Sequence, residues 1–246
     1  MSTLNISVRS WRTPVVIHLA CLLVARGEPA EKSASSEDKI EVTRRNSSAG
    51  WTEESSAGDV VIHSRVREGA PWREFRGVAT IEAPPAIVFA VIDDAESYAS
   101  FMPYTAEVRV LKRGKDWLLA YQRLELPMVS DRDYTVRSRS TRSKGPDGVI
   151  YRVRWTAANE EGPAARPGVQ RVNVCEGEWL LEPDRAGKTR ATYIVFSDSG
   201  GAIPPFIANS GSRVAIRKVF EAIRKQANDP KYASAKTAPG EGLNTP

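Results

Sequence analysis

From residue 59 to residue 198 the chain keeps returning to a two-residue period, and only one segment in that span breaks it. "RDYTVRSRST" (132–141) puts Arg132, Tyr134 and Val136 on one face and Asp133, Thr135 and Arg137 on the other. "VIYRVRWTAA" (149–158) sets Val149, Tyr151, Val153 and Trp155 together. The stretches 59–66, 72–82, 104–113, 117–126, 169–183 and 188–198 are likewise rich in β-branched and aromatic residues. Such alternation is the mark of half-buried strands. Short turns such as Gly114-Lys115-Asp116, the run 144–148 and the run 184–187 join them, which predicts an antiparallel meander.

The break comes at "PPAIVFAVIDDAESYASFM" (84–102), where Ile87, Val88, Val91 and Ile92 fall at helical spacing behind two prolines suited to a helix start. A second helical pattern closes the domain. "PPFIANSGSRVAIRKVFEAIRKQAN" (204–228) carries Ile216, Val219, Phe220, Ile223 and Ala227 on one stripe, with Arg217, Lys218, Arg224 and Lys225 off it. The order of elements predicts an α+β fold in which one curved antiparallel sheet wraps around one long terminal helix. A space between such a sheet and its helix is a natural site for an apolar ligand.

The ends differ from the middle. Residues 28–50 and 229–246 are polar and poor in large apolar side chains, so they are expected to be a flexible linker and a disordered tail around a domain spanning 51–228. Residues 1–27 carry Arg9 and Arg12, a short apolar run and small residues, the layout of a signal peptide. Export to the periplasm or medium is therefore expected, with a cytoplasmic protein as the alternative.

Several chemistries are disfavoured. The net charge of +5 is spread among acids rather than gathered into a basic stripe, so nucleic acid is not an expected partner. Two cysteines, Cys21 and Cys175, make neither a disulfide framework nor a zinc cluster. Two histidines, His18 and His63, leave little for a histidine metal site or a catalytic triad. Asp131 and Asp133 flank Arg132 at a loop–strand junction, where capping and ion pairing are the usual roles of Asp. No cofactor is implied.

"GDVVIHSRV", "EFRGVATIEAPPAIVFAVIDDAESYASFM", "LPMVSDRDYTV" and "SGGAIPPFIANSGSRVAIRKVFEAIRK" together resemble the START (steroidogenic-acute-regulatory-related lipid-transfer) domain over most of residues 50–226. "SDRDY" and "GGAIPPFIAN" are the specific pieces. Where many members carry a tryptophan after the first helix, this chain has Phe101, followed by Met102 and Pro103. The resemblance implies the helix-grip fold and a non-catalytic domain, expected to be a monomer, that binds one lipid or other small hydrophobic ligand beneath the terminal helix. It also implies a mobile loop, 126–131, at the cavity mouth, where Met128 and Val129 are suited to closing over a ligand or touching a membrane transiently. The candidate cavity and gate residues are Phe101, Tyr121, Arg123, Met128, Val129, Arg132, Tyr134, Trp155, Phe206, Val219 and Phe220. An enzyme of the polyketide cyclase/aromatase or hydrolase kind on the same scaffold is the alternative, since fold alone does not settle function.

Overall fold

The computed structural model describes residues 50–56, 58–198, 200, 203 and 205–237. Residues 1–27, most of 28–50 and residues 238–246 lie outside the described residues, so the expected signal peptide and most of the expected linker fall there.

Ten strands form one sheet: β1 (Thr52–Ser55), β2 (Val61–Val66), β3 (Arg73–Ile81), β4 (Thr105–Arg113), β5 (Trp117–Leu124), β6 (Arg132–Gly145), β7 (Gly148–Ala157), β8 (Gln170–Arg171), β9 (Cys175–Asp184) and β10 (Lys188–Ser197). Nine of them lie in the order β1-β2-β3-β10-β9-β7-β6-β5-β4, antiparallel throughout, and β8 adds to β6 in parallel. Two helices, α1 (Pro85–Asp93) and α2 (Tyr98–Phe101), connect β3 to β4, and α3 (Pro205–Gln226) closes the domain. The sheet curves around α3, which is the predicted helix-grip arrangement.

Cross-strand register fixes which side chains share the concave face. Leu118 pairs with Ser138, Ser138 with Trp155, Val153 with Trp179, and Trp179 with Tyr193. Ala79, Ile81, Val153, Trp179, Leu181 and Ala191 bury there against Ile216, Phe220 and Ile223 of α3 and against Val88 and Val91 of α1. Gly77, paired with Tyr193, lets the helix come close: a Cβ at this position would sit 2.7 Å from Ile216 Cγ2 and 2.9 Å from Phe220 Cε2.

The C-terminal boundary expected at residue 228 is corrected. A 3-10 helix over Pro230–Thr237 follows α3 and packs on α1. Tyr232 is buried, and its hydroxyl donates to Asp94 Oδ2 at 2.7 Å. One aromatic residue in a polar segment is enough to dock it, because a buried tyrosine contributes a large apolar area and its hydroxyl finds a carboxylate.

Candidate functional site: an aromatic chamber under the terminal helix

The concave face is not uniformly closed. Tyr134, Trp155, Tyr193 and Val195 on the sheet, Tyr98, Phe101 and Met102 around α2, and Val219 on α3 are half-buried rather than packed away. Burial pushes the ionisation of Tyr98, Tyr134 and Tyr193 upward, and that of the Cys175 thiol up to about 12. Tyr134 and Trp155 both pack on the cluster that holds Cys175, and Trp155 stacks on Tyr193, so these groups gather at one place on the wall. Side chains that are desolvated yet keep accessible surface border an interior hollow.

The walls are held by aromatic contacts. Tyr193 stands between Trp155 (5.7 Å between ring centroids, stacked) and Trp179 (4.5 Å), and Trp179 meets Phe220 edge to face at 5.3 Å. Trp155 lies across Gly177, where a Cβ would be 2.3 Å from its ring. Trp155 packs on the cluster that holds Cys175, and Ser197 stands opposite Cys175 on β10. Tyr98 is fixed by donating its hydroxyl to the Ile92 carbonyl and by an edge-to-face contact with Phe101. Tyr134 donates to Gln122 Oε1 at 3.1 Å.

Beside the chamber the β5–β6 loop runs over the surface. Met128 is fully exposed and holds a left-handed backbone (φ 63°), and Val129 is exposed next to it. An apolar residue in this position gains nothing from burial and bears the conformational cost of positive φ for a residue with a Cβ. A cleft of about 380 Å³, lined by Met102, Tyr104, Thr105, Glu125, Leu126 and Pro127, opens at the base of the loop. The Glu125 amide donates to the Tyr104 carbonyl at 2.8 Å on one side, and the Gln170 amide to the Asp131 carbonyl at 2.8 Å on the other. The apolar tip is thus carried on two fixed ends.

Phe101, Tyr134, Trp155 and Val219 are half-buried against the core clusters of the concave face, and Met128 and Val129 form the loop tip. Arg132 is buried on the concave face, opposite Leu124, and donates to the Ser130 carbonyl. Burial lowers its pKa, while Asp131 acts in the other direction. The Phe206 side chain lies outside the described ones.

Three expectations are corrected. Tyr121 and Arg123 alternate with Leu118 and Ala120, so they stand on the convex face. Tyr121 is buried there because Arg109 and Arg166 lie over its ring at 4.6 and 5.3 Å, and its hydroxyl donates to Asp133 Oδ2 at 3.2 Å. Arg123 pairs with Asp131 and Glu107. Phe220 is fully buried between Trp179 and the helix face, a core residue with no surface left for a ligand.

The convex cluster is a brace. Asp133, fully buried, accepts from Arg171 Nε at 2.7 Å and Nη2 at 3.0 Å. Glu107 binds Arg166, which chiefly holds its carboxyl below the usual range, together with Arg123 and Arg109. Asn159 accepts from the Thr135 amide and donates to the Val172 carbonyl, each at 2.8 Å, linking β6 to the chain that leaves β8. Asp131 and Asp133 therefore serve ion pairing at the root of the loop, as their turn position predicts.

The sequence reading missed Tyr98, Tyr193, Cys175 and Arg171. In "TYIVFS" every residue but the ends is β-prone, so alternation does not tell Tyr193 and Val195, which face inward, from Ile194 and Phe196. Phe196 packs outward against Trp72 and beneath Arg67.

Among the described residues no group of three or more His, Cys, Asp and Glu side chains is placed to hold a metal ion, and no helix is long and apolar enough to cross a membrane.

A curved sheet closed by a terminal helix over an aromatic hollow defines a START-like, helix-grip protein, a fold that takes hydrophobic ligands. The family model described as polyketide cyclase / dehydrase and lipid transport matches residues 81–224, and the chain belongs to that family. An uncharacterized protein of Pseudomonas aeruginosa is 29% identical over 161 residues, covering 65% of this chain and 78% of that protein. The crystal structure of a STAR-related lipid transfer protein (fragment 25–204) from Xanthomonas axonopodis superposes with a TM-score of 0.65 at 30% identity, covering 73% of this chain and 99% of that one. Rho GTPase-activating protein 7 of Rattus norvegicus is 26% identical over 191 residues, where the match covers 74% of this chain and only 17% of the larger protein.

Proposed function

We propose that the protein binds one lipid-sized hydrophobic ligand in the chamber and carries it without chemical change. The half-buried aromatic wall of Tyr134, Trp155 and Tyr193 beneath α3 carries this reading, because apolar surface left unpacked inside a folded domain is stabilised by an occupant. Besides the cation of Arg132, the ionisable groups gathered at the wall include three phenols and a thiol with raised pKa values, none of which is an anionic base or nucleophile at neutral pH. The lipid-transport description of the family and the Xanthomonas structure support a carrier. Exchange would proceed by opening of the β5–β6 loop, with Met128 and Val129 touching the donor surface.

Native mass spectrometry of the purified full chain tests this, followed by extraction of whatever co-purifies. One lipid per chain, recovered chemically intact after incubation, is the expected result. A protein that takes up no lipid from a broad panel, or that converts an aromatic polyketide-like compound, would replace the carrier with the cyclase reading.

A further inference from the structure

Several of the chamber's polar groups are met by the protein itself. The Tyr134 hydroxyl donates to Gln122 and the Tyr98 hydroxyl to the Ile92 carbonyl. The Tyr193 hydroxyl has no hydrogen-bond partner among the described residues. Its ring is held in place by Trp155 and Trp179, which flank it. A phenol offers one O–H and two lone pairs, and on a half-buried ring facing the chamber these are met by whatever fills it. The groups around it are Trp155, Trp179, Cys175 and Tyr134, all uncharged at neutral pH. An ionised carboxylate or phosphate at that point would lie uncompensated in a medium that disfavours charge.

We propose that the ligand is a neutral lipid bearing a hydroxyl or carbonyl oxygen, and that Tyr193 holds that oxygen at the inner end of the chamber. The inference rests on the carrier reading above and names the ligand class it implies. The competing anchor is Arg132, on the same face as Tyr134 and two residues away, whose cation favours an anionic head. Its guanidinium already donates to the Ser130 carbonyl and lies in the field of Asp131, so its charge is partly met without a ligand.

Three C18 probes with a common cis-9 chain separate these outcomes: oleyl alcohol, sodium oleate and cis-9-octadecene, each displacing the neutral dye N-phenyl-1-naphthylamine from the full-length protein. The alcohol is expected to displace the dye at about tenfold lower concentration than the hydrocarbon, the gain of one buried hydrogen bond. Tyr193→Phe keeps the stacked ring and should erase that difference while leaving the hydrocarbon's displacement unchanged. Tyr134→Phe, whose hydroxyl is already bonded to Gln122, should leave the alcohol's advantage in place. Oleate outcompeting the alcohol, with that order abolished by Arg132→Gln and untouched by Tyr193→Phe, would overturn the inference and move the polar anchor to Arg132. An alcohol preference that survives Tyr193→Phe would overturn it as well. A dye that does not bind the wild-type protein at all would remove the carrier reading itself.

Discussion

Two buried residues set the pH and mutational behaviour of this domain. Asp133 is fully buried and its charge is met by Arg171 and Tyr121. Removing one partner of a buried pair leaves the other uncompensated, so Arg171→Leu is expected to cost about 3–5 kcal/mol in urea unfolding. Adding Asp133→Asn to that variant should recover part of the loss, and a double variant as weak as the single one would show that the charge is not what matters. His63 is buried opposite Arg76, and desolvation first, then Arg76, lowers its pKa from 6.5. The unfolded chain therefore takes up a proton before the folded one does. Stability contributed by neutral His63 is fully present above about pH 6.5, is lost as pH falls from there toward the lowered folded value, and changes no further below it. Thermal melts of wild type and His63→Gln between pH 7 and pH 5 should diverge in slope in that window.

At the scale of elements, the grip between sheet and helix depends on the absence of a side chain. A Cβ at Gly77 would fall inside the contact distance of Ile216 and Phe220 on α3. Gly77→Ala should therefore destabilise by about 1–3 kcal/mol, the usual penalty for overpacking, and lower the affinity for chamber ligands by displacing the helix. The β5–β6 loop gives the opposite expectation. Met128 and Val129 make no buried contacts worth preserving, so replacing both with Ser should leave the melting temperature within about 1–2 °C, the small effect expected of exposed substitutions. It should still slow transfer of a fluorescent lipid between vesicles several-fold. An unchanged transfer rate would show that the exposed tip does not contact the donor surface.

For the whole molecule, access to the chamber is the quantity that matters, and Cys175 reports it. Its thiol is buried, and burial pushes its pKa up to about 12. At pH 8 it should react with a thiol reagent only through openings of the fold, far more slowly than a model thiol, and a bound ligand should slow it further. Fast reaction in the presence of ligand would mean that the chamber stays open while occupied.

Most of the architecture is written in the periodicity of the chain. Strands from alternation, α1 from Ile87, Val88, Val91 and Ile92, and α3 from its apolar stripe follow from local preferences that each segment carries itself. The motifs around Asp131–Tyr134 likewise identified the family. Alternation says which residues share a face, but not which face turns inward. β5 and β6 are half-apolar on both sides, since Arg109, Arg166 and Arg171 cover the convex one, and so Tyr121 lies outside while Tyr193 lies within. The partner of Asp133 stands 38 residues away on a two-residue strand too short to show a period. Tertiary structure alone decided these points, because they rest on which distant segments the curved sheet brings together.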